Sequence, residues 1–199
     1  MNKEGKLKWA ILTSRWGRNA KDLIEAYGGG QLEGSEISLL IYDGLPSGAA
    51  EAAESQGVEN IRVQLADFPS KAAYQHHLTQ LLQDREIDYV LLLSFKYLVR
   101  EELLKAFPGK IINIHPSLFP SFLNTHKAIQ EALDYGVKIT GITTHVIDEQ
   151  VDAGTIVCQE PIRLDPGETF ETAYPKFAKT AQKILKDTIA EIEKAQGGR

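Results

Sequence analysis

The sequence predicts an α/β protein built on a doubly wound, mostly parallel sheet with helices on both faces. Three observations predict it. Short apolar runs alternate with stretches of helical spacing along the chain, the pattern of repeated strand–helix units. Some of these runs are apolar at every position, Tyr89–Leu93 above all, as strands are when helices cover both faces of a parallel sheet. Glycines mark several of the joins, as at Gly28–Gly30 and Gly57, where a helix must stop.

Leu7–Leu12 reads as a first strand, and Ala20–Tyr27 as a helix ended by the three glycines. Glu36–Tyr42, rich in Ile and Leu, is a second strand, and Ala49–Gln56 a short helix stopped by Gly57. Asn60–Val63 is a brief third strand. Pro69–Arg85 carries Ala73, Leu78, Leu81 and Leu82 at helical spacing. Asp88–Ser94 is a fourth strand, Glu101–Phe107 a helix, and Ile111–Ile114 a fifth strand closed by Pro116. A helix over Ala128–Tyr135 leads to Thr140–Ile147 and Thr155–Pro161, two strands close enough for an antiparallel pair. Phe170–Ala195 is a long amphipathic helix.

The 199 residues predict one domain with a substantial core. A net charge of −5, a pI near 5.6 and the lack of a basic run argue against a nucleic-acid partner. The apolar runs are too short to span a bilayer, and the first residues hold no apolar signal core. Cys158 is the only cysteine, so no intrachain disulfide is possible, which fits a reducing cytoplasm. It reads as a small core residue rather than a nucleophile. No Cys or His cluster suggests a metal. His76 and His77 sit mid-helix and read as a solvated face, and His126 follows a loop that could touch substrate.

Chemistry concentrates at Asn113-Ile-His-Pro-Ser117 and, further on, Asp152-Ala-Gly154. Asn113 and His115 lie two residues apart at a strand exit, so their side chains point the same way. An amide, an imidazole and a later carboxylate suit acyl transfer: a donor for a developing oxyanion, a proton carrier, and a charge to orient it. The bland reading, a strand-to-turn junction whose polar groups bond nearby backbone, stands equally on these three residues alone.

The longer pattern separates the two. Ile111–Pro120, Gly141-Ile-Thr-Thr-His-Val146, Asp148–Gly154 and Gln159 together resemble the folate-dependent formyltransferase family, most of all its branch acting on phosphoribosylglycinamide (GAR). The likeness runs from Lys8 to about Gln182. It implies the formyltransferase variant of the Rossmann-like fold, the first hundred residues or so forming the substrate-side half and the remainder the catalytic and folate side. It implies transfer of a formyl group from 10-formyltetrahydrofolate, a cosubstrate consumed each turn, to the primary amine of a small anionic acceptor, with no metal. Asn113, His115 and Asp152 carry the catalytic roles, Asp152 favouring the protonated form of His115. Lys71, Lys96, Tyr97, Leu98, Val99, Asn113, His145 and Asp148 are carried over to the folate side. The substrate side takes Arg15, Trp16, Gly17, Arg18 and Asn19, in a loop opening a helix whose free N–H groups suit an anion.

Three departures fall on the amine side. Arg15, Trp16 and Arg18 replace smaller residues in the first loop, a family glutamate is Ala181, and Ser121-Phe-Leu-Asn124 replaces a Tyr-Pro-Gly pattern. They locate substrate choice in the Arg15–Asn19 loop. Other readings are a formyltransferase for another amine, such as an amino sugar, or a non-catalytic folate- or nucleotide-binding module. An amino-sugar enzyme is expected to carry more C-terminal elements, a methionyl-tRNA formyltransferase a basic RNA-binding domain, and a formyltetrahydrofolate hydrolase an N-terminal regulatory domain. The oligomeric state is left open.

Overall fold

The computed structural model describes residues 5–97, 99, 101–147 and 154–197. Its elements follow in the expected order. They are β1 (Leu7–Thr13), α1 (Arg18–Gly28), β2 (Ser35–Tyr42), α2 (Gly48–Gln56), β3 (Glu59–Arg62), α3 (Lys71–Asp84) and β4 (Tyr89–Leu93). Then come α4 (Glu101–Ala106), β5 (Ile111–His115), α5 (Ala128–Tyr135), β6 (Ile139–Val146), β7 (Ile156–Arg163) and α6 (Phe170–Gly197). A 3₁₀ turn at Leu65–Asp67 has no counterpart in the sequence reading.

The strands form one sheet in the order β3-β2-β1-β4-β5-β6-β7. β1 to β5 pair in parallel, while β6 runs antiparallel to both β5 and β7. Period-2 alternation along β1 divides its side chains between two layers. Trp9 and Ile11 pack with Leu23, Ile24, Leu185 and Ile189 of α1 and α6. Ala10 and Leu12 pack with Tyr74, Leu78 and Leu82 of α3 and with Leu103 beyond them. Each fully buried Leu or Ile contributes about 1.5–3 kcal/mol of transfer free energy, which holds both layers onto the sheet. A third cluster gathers Ile129, Ile142, Phe177 and Ile184 beneath α5 and α6.

Local signals set the helix ends. Ser47 and Ser70 accept from the amides of Ala50 and Ala73, each closing the first turn of its helix. The far end of α6 is tied to the sheet, where Ser35 bridges the Trp9 indole N–H, at 2.9 Å, to the Glu193 carboxylate. Cys158 is half-buried, and burial pushes its thiol above the ordinary range, as suits a packing residue.

After β3 the chain returns to add β4 on the other side of β1. This reversal opens a crevice at the carboxyl ends of β1 and β4, the position where doubly wound sheets bind ligands.

Candidate active site

The polar side chains converge because β5 and β6 pair in one register. Asn113 lies directly opposite His145, and His115 opposite Thr143. The Asn113 amide nitrogen is 3.2 Å from His145 Nε2, and His145 Nδ1 is 3.2 Å from the Val146 carbonyl oxygen. A carbonyl can only accept, so Nδ1 donates to it and Nε2 is left to accept from Asn113. His115 Nε2 donates to the Phe122 carbonyl at 2.8 Å. The Phe119 ring lies 5.3 Å from the His115 ring and 4.8 Å from that of His145. Both histidines are buried, so their orientations are fixed by packing as well as by hydrogen bonds.

The turn after His115 is latched by residues that the sequence reading quoted within its motifs but gave no role. The Thr143 hydroxyl donates to the Ser117 carbonyl at 2.8 Å and accepts from the Phe119 amide at 3.1 Å. Gln159 also donates to it at 3.1 Å. The buried Ser117 hydroxyl donates to the Ser121 carbonyl at 2.6 Å. One signal was available: Thr143 is two residues from His145 on a strand, hence on the same face. Asp152, Asp148 and Leu98 fall outside the described residues.

A second cluster joins the exits of β1, β2 and β4. Asp43 accepts from the Ser14 hydroxyl and the Arg15 amide, each at 3.2 Å, and its carboxylate lies 2.7 Å from Lys96 Nζ. The Lys96 amide donates back to the Ser14 hydroxyl at 3.2 Å. Lys96, expected on the folate side, thus has its ammonium on Asp43. Tyr97 packs edge-on against Tyr74 and Phe95, Val99 packs against the same layer, and Lys71 is exposed at the start of α3. Burial works to raise the Asp43 carboxyl, but Lys96, the Arg15 amide and Ser14 together hold it below its ordinary 3.8.

A carboxyl depressed in the folded state stabilises the fold above its unfolded pKa, and that contribution is lost as pH falls through the folded one. Asp43→Asn is therefore expected to cost about 1–3 kcal/mol near neutrality. In urea titrations the gap from wild type should stay level down to about pH 5 and close below about pH 4. A gap unchanged at acid pH would remove Asp43 from this role.

In the first loop, Gly17 opens α1 at φ 73°. A Cβ there would stand 2.8 Å from that of Ala49, so the position requires glycine on both counts. The Trp16 ring lies over Gly48, and its carbonyl accepts from the Ala49 amide at 3.2 Å. The Arg18 Nε pairs with Asp22 one turn along α1 at 3.0 Å, and Arg15 is exposed at φ 60°. Asn19 alone of the predicted loop residues lines the cleft described next.

That cleft, about 150 Å³, opens at the crevice between β1 and β4. Ile114 and Pro116, which alternate with Asn113 and His115, form its edge at β5. Ile129, Ile142, Phe177, Ala178 and Ala181 also line it, with Asn19, Ser94 and Tyr174 supplying its polar side chains among the described residues.

The sequence model described as Formyl transferase matches residues 7–189, from the start of β1 into α6. The chain belongs to the formyl transferase family. Within that family it is 31% identical over 185 residues to the phosphoribosylglycinamide formyltransferase of Bacillus subtilis, covering 93% of this chain and 94% of that one. Among solved structures, glycinamide ribonucleotide transformylase 1 from Symbiobacterium toebii superposes with a TM-score of 0.90 at 29% identity, covering 97% of this chain and 90% of that chain. Phosphoribosylglycinamide formyltransferase from Bacillus halodurans gives 0.86 at 34% identity over 93% and 94%. The family match spans both the strand exits around Asp43 and the β5–β6 pair.

Among the described residues, no group of His, Cys, Asp and Glu could hold a metal ion. None of the described helices is long and apolar enough to cross a membrane.

Proposed function

We propose that this protein transfers a formyl group from 10-formyltetrahydrofolate to the primary amine of a small anionic acceptor, with Asn113, His115 and Asp152 as its catalytic residues. The observation that carries the reading is the β5–β6 register, which sets Asn113 opposite His145 and His115 opposite Thr143 and so gathers an amide donor and two imidazoles at one strand exit. The cleft meets the same strand end from the other face, through Ile114 and Pro116.

The amine nitrogen forms a bond to the formyl carbon, and the carbonyl oxygen takes up negative charge. The Asn113 amide, oriented by His145, donates to that oxygen, and His115 adds a second donor. As the new amide forms, the bond from the formyl carbon to the folate nitrogen breaks. The proton lost by the amine is returned to that nitrogen, with His115 as carrier and Asp152 as the charge that supports it. The folate side is assigned to Lys71, Lys96, Tyr97, Leu98, Val99, His145 and Asp148, and the anion to the 15–19 loop. Two curated relatives named phosphoribosylglycinamide formyltransferase support amine formylation as the reaction class.

Titration calorimetry with a folate analogue lacking a transferable formyl group tests the folate half. Saturable binding is expected, together with amine-dependent loss of formyl from 10-formyltetrahydrofolate. No binding would sink this reading and favour a non-catalytic module.

A further inference from the structure

We propose that the Asp43–Lys96 ion pair is a positioning device that joins the two substrate sites, so that each substrate binds more tightly once the other is in place. The inference rests on the formyl-transfer reading, with the acceptor's anion on the 15–19 loop and the folate beside the residues after β4. Those two segments leave neighbouring parallel strands, β1 and β4. Asp43, at the exit of β2, is bonded to both. On the acceptor side it accepts from the Arg15 amide and the Ser14 hydroxyl, each at 3.2 Å. On the folate side its carboxylate lies 2.7 Å from Lys96 Nζ. Lys96 also crosses through its main chain, its amide donating to the Ser14 hydroxyl at 3.2 Å. The same ammonium stands 4.9 Å from the centre of the Tyr97 ring, which packs on Tyr74 of α3.

Burial gives this pair its weight. An ion pair between two exposed side chains contributes little, because water screens it and both chains lose freedom. The Asp43 side chain is only 3% exposed, so water does little for its charge and Lys96 supplies the counter-charge. The backbone on either side is constrained as well. Arg15 and Ser94 both hold left-handed φ, 60° and 58°, a region that residues with a side chain keep only where their surroundings impose it. Asn19 and Ser94, one on each side of the junction, both line the cleft. A ligand that fixes either segment fixes Asp43 and, through it, the other segment, so the second ligand has less ordering left to do. Coupling of this kind commonly amounts to about 5- to 150-fold in affinity, and linkage makes it equal in both directions.

The test is calorimetric titration of the whole protein with tetrahydrofolate, which carries no formyl group to transfer, in the absence and presence of saturating GAR. In the wild type, GAR is expected to tighten tetrahydrofolate binding by about fivefold or more, and tetrahydrofolate to tighten GAR equally. Asp43→Asn keeps an oxygen for the Arg15 amide but loses the charge that holds Lys96, and should bring the factor to within about twofold of unity. Lys96→Met, a change at an exposed residue, should abolish the coupling too, whereas Lys96→Arg keeps the cation and should retain most of it. The Asp43→Asn/Lys96→Met double variant should lose no more coupling than either single variant, since both break one link. A wild type that binds tetrahydrofolate equally well with and without GAR would overturn the inference. So would a coupling factor unmoved in folded Asp43→Asn or Lys96→Met, even if their unfolding temperatures fell, because a merely structural pair would give that result. Tetrahydrofolate that fails to bind the wild type under either condition would remove the formyl-transfer reading, and the inference with it.

Discussion

Asn113→Ala and His115→Ala are each expected to lower kcat by about 10²- to 10³-fold, the usual consequence of losing an oxyanion donor or a proton carrier. The two residues work from one strand face, and each is held by a separate partner. Asn113 is held by His145, and His115 by the Phe122 carbonyl. Alanine at 113 removes the proposed oxyanion donor and also deprives His145 Nε2 of that partner inside a buried site, so a loss of about 1–3 kcal/mol in stability should accompany the kinetic effect. Alanine at 115 leaves the Phe122 carbonyl in a half-buried loop that water can reach, and should cost less. Rates measured at saturating substrate, with thermal unfolding of the same samples, separate chemistry from folding. A variant that unfolds near the wild-type temperature yet keeps more than about a tenth of wild-type kcat would strip that residue of its role. The same loss of rate is expected of Asp152→Ala.

The strands of this fold were legible because their surroundings dictate their composition. Tyr89–Leu93 is apolar throughout because α3 and α4 lie on one side of it and the α1–α6 layer on the other, and no amphipathic helix gives that pattern. The helix over Ala128–Tyr135 was readable to the residue, since Gly136 ends it in a left-handed cap. The start of α1 was less so. The sequence reading places it at Ala20, whereas the left-handed Gly17 allows helix from Arg18 onward.

At the site, Asn113 and His115 were legible as a pair on one strand face, but their partners were not. Asn113 meets His145 only through the β5–β6 register, and nothing local in either segment specifies that register. Asp43 gave no signal, being one acidic residue in a loop; its importance comes from three strand exits meeting at the switch in strand order. His76, read as part of a solvated face, is exposed but bonds the Glu102 carboxylate at 2.6 Å, and the neighbouring His77 packs on Phe68. Both contacts cross from one element to another, which helical spacing alone does not reveal. The apolar part of the cleft lining is similar: Ile129, Ile142 and Ala181 lie on α5, β6 and α6 and come together only after the sheet has formed.

Gly141→Ala is expected to destabilise the protein by about 2–4 kcal/mol. Gly141 lies in β6 opposite Pro161 of β7. A Cβ there would stand 2.2 Å from the Glu160 carbonyl oxygen and 2.7 Å from Leu118 Cδ2. Leu118 is a side chain and can rotate away, but the carbonyl belongs to the neighbouring strand and moves only if β6 and β7 separate. The cost is thus mainly steric, against backbone, and not one of left-handed conformation. It reaches the site because Thr143, two residues along β6, latches Ser117 and Phe119 in the turn that follows His115. Moving β6 loosens that turn, and with it the Phe122 carbonyl that holds His115. The melting temperature should fall by roughly 5–15 °C for a chain of this size, with kcat reduced in the folded fraction. Adding Leu118→Ala relieves the flexible contact alone, so the double variant should recover part of the loss and the two changes should be non-additive. If Gly141→Ala melts within about 1–2 °C of wild type, the strands accommodate a methyl group, and the close approach of β6 to β7 does not constrain the site.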